Sequence, residues 1–151
     1  MAKKVLIVED QPDSRRLLED ILKHFNSQEA VVLSARDGLE AHEIIQREKP
    51  DLILLDIMLP GMSGYELCEK IKANPETAKS YIIIISAKYQ LEDRKEAIKR
   101  GADDYLVKPF DVQALLEQVR KVLGISPSST VASSPPNTDT NKKSSSSHFI
   151  V

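Results

Sequence analysis

A single cysteine, Cys68, stands in the 151 residues, so no disulfide can close within the chain and a reducing compartment suits it. Long hydrophobic runs are missing as well. The longest, residues 5–8 and 81–85, fall far short of the roughly 20 residues that cross a bilayer as a helix. A secretory leader is not expected at the start, because Lys3 and Lys4 precede four apolar residues and then Glu9 and Asp10. Neither sign of charge dominates. With 21 Lys and Arg against 23 Asp and Glu, the formal net charge of −2 offers no basic footprint for nucleic acid. His24, His42 and His148 have no metal-ligand spacing, and no internal repeat is visible. These absences leave a small cytoplasmic protein with room for one ordinary domain and no membrane or nucleic-acid partner.

What is present is a globular composition, 41% hydrophobic and 29% charged. It changes near Gly124. From there to Val151 the chain is mostly Ser, Pro, Thr and Asn, with little to bury before Phe149, Ile150 and Val151. Such a segment cannot recover its ordering entropy, so residues 124–151 are expected as a disordered Ser/Pro-rich tail and residues 1–123 as the folded part. Setting aside Asp139, Lys142 and Lys143 leaves 19 basic and 22 acidic residues in 1–123, a net −3.

Within 1–123, short β-branched runs alternate with segments of helical period. Strands are expected at residues 4–8, 30–34, 52–55, 81–85 and 104–107, four of them near-continuously apolar as in a parallel sheet covered on both faces. Between them, Leu17, Leu18, Ile21, Leu22 and Phe25 share one helical stripe, as do Leu115, Leu116, Val119 and Val122. Asp37 with Glu40 and Ser63 with Glu66 have capping-box spacing, and Asp111 can cap a last helix with Phe110 and Leu115 as its hydrophobic staple. Five βα repeats predict an α/β fold with a parallel sheet and right-handed crossovers.

Open α/β sheets bind ligands beyond the carboxyl ends of their strands. The residues standing there are Glu9 and Asp10 after the first strand, Asp56 after the third, Ser86 after the fourth and Lys108 after the fifth. Any one of them is an ordinary loop opening; the set is three carboxylates, a hydroxyl and a cation. Carboxylates brought together repel one another, and a hard divalent cation relieves that. An all-oxygen set without His or Cys points to Mg²⁺ over Zn²⁺. Lys108 and Ser86 suit the oxygens of a phosphoryl group. With no Cys, site His or Ser–His pair to attack, a carboxylate must be the nucleophile, and Asp56, following the central apolar strand, is the best placed.

The segments Val5-Leu-Ile-Val-Glu9-Asp10, Asp51-Leu-Ile-Leu-Leu-Asp56-Ile-Met-Leu-Pro60-Gly61-Met-Ser-Gly64, Ser86-Ala87 and Gly101-Ala-Asp-Asp-Tyr105-Leu-Val-Lys108-Pro109-Phe110 resemble the receiver domain of bacterial two-component response regulators. The resemblance runs from residue 3 to about residue 123. It implies the flavodoxin-like fold, a doubly wound five-stranded parallel sheet in the order 2-1-3-4-5 with five helices. It further implies that Asp56 accepts a phosphoryl group from a histidine of a sensor kinase or phosphotransfer protein. Asp10, Asp56 and the backbone carbonyl of Met58 would hold Mg²⁺, with Glu9 acting through a water. Lys108 and Ser86 would take the phosphoryl oxygens, and Ser86 with Tyr105 would form the switch that alters a protein-binding face. Met58 and Lys88 occupy positions that set phosphoryl lifetime in such proteins.

On this reading the chain is a single-domain signalling protein that catalyses its own aspartyl phosphorylation and slow dephosphorylation. It has no separate small-molecule substrate, and its downstream partner is another protein. Receivers of the winged-helix transcription factors dimerise on phosphorylation through a charge network. Asp103, Asp104 and Arg94 are compatible with it, whereas Glu96 and Gln118 stand where basic residues are usual. Two rival classes are open. A haloacid-dehalogenase-type enzyme would carry Asp-x-Asp after the first strand and a cap, but Glu9 and Asp10 are adjacent and no insertion is long enough for a cap. A phosphorylation-independent receiver-like scaffold commonly lacks one of the acidic pair, the acceptor or the lysine, and all are present here.

Overall fold

The computed structural model describes residues 2–126. The order of elements is β1 (Lys3–Val8), α1 (Pro12–Leu22), β2 (Ala30–Ala35), α2 (Gly38–Glu48), β3 (Leu52–Leu55), α3 (Gly64–Ala73), β4 (Tyr81–Ser86), α4 (Leu91–Lys99), β5 (Asp104–Val107) and α5 (Val112–Leu123). All strands are parallel, in the order β2-β1-β3-β4-β5, which with the five helices is the flavodoxin-like architecture. The expected strands agree to within a residue at each end. Ser86, expected just past its strand, closes β4 instead. The expectation for the tail lies, from residue 127 onward, outside the described residues.

Contacts divide the chain into residues 1–108 and residues 109–151. In the first unit, β1, β3 and β4 are buried along almost their whole length. Leu6, Val8, Ile53, Leu55, Ile82 and Ile84 join a core cluster with Ala41 and Ile45 of α2, Leu67, Cys68 and Ile71 of α3, and Ala97 of α4. Right-handed crossovers put α1 on the opposite face, because β1 to β2 runs against the direction of the other three connections. Alternation explains the continuous apolar runs: Val5, Ile7, Leu52, Leu54, Ile83 and Ile85 point the other way and are equally buried.

The helix ends follow their local chemistry. Ser63 and Glu66 make the reciprocal capping box, Ser63 Oγ accepting from the Glu66 amide and Glu66 Oε1 from the Ser63 amide. Asp37 accepts from the Glu40 amide, but Glu40 reaches back to the amide of Arg36, one residue short of a closed box. In α1, Leu18 and Leu22 are buried whereas Leu17, at the edge of the expected stripe, is exposed. In the second unit, Asp111 caps α5. The buried stripe there is Leu115, Leu116, Val119 and Leu123, with Leu123 in place of Val122 as a 3.6-residue period requires. Cys68 is fully buried and its thiol is pushed up to about 11 by that burial, the state of an inert core residue.

Candidate functional site

Register assembles the site. Val8 pairs with Leu55 across β1 and β3, so the residues that follow them, Glu9 and Asp56, emerge side by side. The ladder continues through them, the Glu9 amide donating to the Ala35 carbonyl at 3.1 Å and the Asp56 amide to the Val8 carbonyl at 3.1 Å. On the other flank Ser86 pairs with Val107, and the Lys108 amide donates to the Ser86 carbonyl at 2.8 Å. Five residues separated by up to 99 positions thereby meet at one sheet edge.

The carboxylates of Glu9, Asp10 and Asp56 each offer an oxygen within 4.8 Å of the others. Lys108 Nζ lies 2.9 Å from Glu9 Oε1 and 3.8 Å from Asp56 Oδ2. Glu9, expected to reach the metal through a water, is the deepest of the three, at 1% exposed. Its second oxygen accepts from the Gln11 amide at 3.2 Å. Asp56 Oδ1 accepts from the Met58 amide at 3.1 Å, a bond from Met58's nitrogen that the sequence reading did not anticipate. Burial, with Glu9's charge adding to it, pushes the Asp56 carboxyl up to about 6, although the Met58 amide and Lys108 pull the other way. Three crowded oxygens, two of them poorly solvated and paired with a single lysine, form a donor set suited to a hard cation. Mg²⁺ therefore fits the residues present.

The loop after Asp56 is held by close backbone approach. The Gly64 amide donates to the Ile57 carbonyl at 2.8 Å, and a Cβ on Gly64 would stand 2.4 Å from the Asp56 carbonyl oxygen. Glycine is required there because α3 begins directly against the backbone of the acidic loop.

Ser86 and Tyr105 meet through one residue. Ser86 is fully buried, its Oγ accepting from the Lys88 amide at 3.2 Å, and Tyr105 Oη donates to the Lys88 carbonyl at 2.9 Å. Tyr105 is 3% exposed, turned inward, and burial raises its phenol above the ordinary range. Arg94 covers it, with its guanidinium carbon 5.8 Å from the ring centroid and Nη2 donating to the Tyr105 carbonyl at 2.9 Å. Of the residues matched to a dimer network, Arg94 is thus engaged within the chain, and Asp103 pairs with Lys72 at 3.0 Å.

A flavodoxin-like sheet whose first, third and fifth strands end in an acidic pair, an aspartate and a lysine has the architecture of a receiver domain. The model of the response regulator receiver domain matches residues 5–120, and the chain belongs to that family, the receivers of two-component signalling. It is 42% identical over 120 residues to the response regulator ArlR of Staphylococcus saprophyticus, covering 80% of this chain and 52% of the relative, so it spans about half that protein's length. Among solved structures, the receiver domain of the sensor histidine kinase PA1611 of Pseudomonas aeruginosa superposes with a TM-score of 0.73 at 29% identity over 82% of this chain and 99% of that one; it has a magnesium ion coordinated in its active site cleft. The chemotaxis response regulator CheY4 of Vibrio cholerae superposes with a TM-score of 0.72 at 28% identity, over 81% and 99%. No helix among the described residues is long and apolar enough to cross a membrane.

Proposed function

We propose that residues 1–123 form a receiver that takes a phosphoryl group onto Asp56 from a phosphohistidine of a sensor kinase or phosphotransfer protein. The observation that carries this reading is the convergence of Asp56 with Glu9, Asp10 and Lys108 at one strand edge. An Asp56 carboxylate oxygen attacks phosphorus, the phosphorus–nitrogen bond of the donor breaks in line, and the imidazole leaves and regains a proton from solvent. Asp10 and Asp56, with the Met58 carbonyl, would hold Mg²⁺ and Glu9 would reach it through a water. The ion, when bound, supplies positive charge against the crowded carboxylates and the phosphoryl oxygens. Asp56 must be ionised to attack, and Lys108, 3.8 Å away, favours that form. Lys108 can turn from Glu9 to a phosphoryl oxygen, and Ser86 Oγ can donate to another.

The reading extends to output. Lys88 carries both bonds of the switch, its amide to Ser86 and its carbonyl from Tyr105, so a Ser86 that moves toward the phosphoryl group disturbs the anchor of Tyr105. The result is a population shift at the face made by α4 and β5, read by another protein.

The test is intact mass after incubation with Mg²⁺ and acetyl phosphate, beside Asp56→Asn and a metal-free control. A single phosphoryl adduct that needs both Asp56 and the metal is expected. No adduct from acetyl phosphate or from phosphorylated kinases would overturn the proposal in favour of a phosphorylation-independent binding scaffold.

A further inference from the structure

Arg15 occupies a position that its own helix does not explain. It lies in the opening turns of α1, where the helix dipole favours acids over cations. That helix starts without a side-chain cap on Gln11 and with Pro12 at its first position, so nothing local calls for a guanidinium. Its neighbour Arg16 points to solvent, whereas Arg15 is half-buried. Arg15 Nη1 donates to the Glu9 carbonyl at 2.9 Å and approaches the Asp10 carbonyl at 3.4 Å. These are the two consecutive residues whose side chains enter the acidic cluster.

The loop has few other ties. The Glu9 amide is held by the Ala35 carbonyl, and the Gln11 amide bonds back to Glu9 Oε2. Among the contacts described for the residues of this loop, none other than that of Arg15 reaches the Asp10 carbonyl. The guanidinium bonds the backbone carbonyls of the loop and leaves the side chains of Glu9 and Asp10 in the acidic cluster. One nitrogen, Nη1, serves both neighbouring carbonyls, and its permanent charge strengthens each contact. Its charge is also tied to the backbone of two of the three clustered carboxylates, of which Lys108 pairs only with Glu9 and Asp56, and so lowers the repulsion of the metal-free cluster.

We propose that Arg15 is a positioning residue for the acidic pair: it fixes the turn between β1 and α1 so that Glu9 and Asp10 are presented to the metal before the metal arrives. The proposal rests on the reading of this cluster as a Mg²⁺ site. Ordering the loop in advance removes an entropic cost from binding, and outer-shell partners of metal ligands commonly change affinity by about tenfold or more.

The experiment is Mg²⁺ titration by calorimetry of the wild type, Arg15→Ala, Arg15→Lys and the exposed control Arg16→Ala, with thermal unfolding and amide hydrogen exchange of each in EDTA. Arg15→Ala is expected to weaken Mg²⁺ about tenfold and to speed exchange at Asp10 and Gln11 in the metal-free protein, with its melting temperature close to that of the wild type. Arg15→Lys should recover part of the affinity, and Arg16→Ala should match the wild type. If wild-type protein binds Mg²⁺ and Arg15→Ala binds it equally well, the positioning role is wrong. Equal weakening by Arg15→Ala and Arg16→Ala would reduce the effect to general charge and overturn it too. If the wild type takes up no Mg²⁺, the reading of the cluster itself fails, and this inference falls with it.

Discussion

The two edges of the sheet handle charge in opposite ways. At the amino edge several polar groups find close local partners: Lys4 pairs with Glu48 at 3.0 Å, the Lys4 amide donates to Asp51 at 2.8 Å, and Ser80 Oγ donates to the Pro50 carbonyl at 2.6 Å. Lys72 is the fullest case, its Nζ donating to the Ala78 carbonyl, the Ser80 carbonyl and Asp103 at 3.1, 2.7 and 3.0 Å. Asp103 in turn accepts from the Ile82 amide. At the carboxyl edge, three carboxylates crowd together and Lys108 pairs with two of them, Glu9 and Asp56. The amino edge has its charge settled within the chain. The carboxyl edge carries an excess of acid over base that a proton or a bound cation can relieve.

Removing a charge should therefore weaken the fold at one edge and relieve it at the other. The larger effect is expected at the amino edge. Lys72→Met keeps the aliphatic stem but deprives three acceptors of their donor, and should cost about 2–3 kcal/mol in urea unfolding. Phosphoryl uptake per folded molecule should be unchanged, since Lys72 lies outside the acidic cluster. A Lys72→Met protein that unfolds with the wild type would show that this edge is not held by its pairs.

At the carboxyl edge the sign reverses, and it does so only above a certain pH. The Asp56 carboxyl, about 6 in the folded protein against an ordinary 3.8, makes the native state hold more protons than the unfolded chain between those values. Stability from this group is fully present below about pH 4 and is lost as pH rises through about 6. The amide introduced by Asp56→Asn has no such proton to lose. In EDTA, Asp56→Asn should thus unfold like the wild type near pH 4 and exceed it by about 1–2 kcal/mol above pH 6, after allowance for solvent screening. A stability difference that stays flat across pH 4 to 7 would remove the electrostatic imbalance from the account of this edge.

The same contrast governs what could be read in the sequence. Glu9, Asp10, Asp56, Ser86 and Lys108 were legible because each stands at the end of an apolar strand, where a charged or hydroxyl side chain breaks a conspicuous pattern. The parallel sheet followed from the alternation of those strands with helical stripes, and its strand order from the resemblance to receiver domains. Contacts to backbone carbonyls leave no such trace. Arg15, Lys72 and the Tyr105 hydroxyl all bond carbonyls, and any residue type supplies a carbonyl, so their partners emerged only with the fold. The stripe assignment failed at Leu17, which is exposed, and missed Leu123, buried beside the half-buried Val122, for a related reason: apolar character alone does not settle which residue at the margin of a helical face turns inward.

The smallest effect expected concerns lifetime, and it rests on Met58. Its amide holds Asp56 Oδ1, so any residue but proline placed there keeps that backbone bond, while its side chain is 60% exposed. A thioether accepts hydrogen bonds weakly and donates none, so it gives an attacking water no orientation. An amide at the same place has both a donor and an acceptor. Met58→Asn should therefore shorten the life of the phospho-form severalfold, a change of about 1 kcal/mol in barrier, with little change in unfolding. Dephosphorylation followed after removal of acetyl phosphate is the measurement. Equal rates would mean that the water is oriented from elsewhere, and the exposed Lys88, whose backbone already joins Ser86 to Tyr105, would be the next side chain to replace.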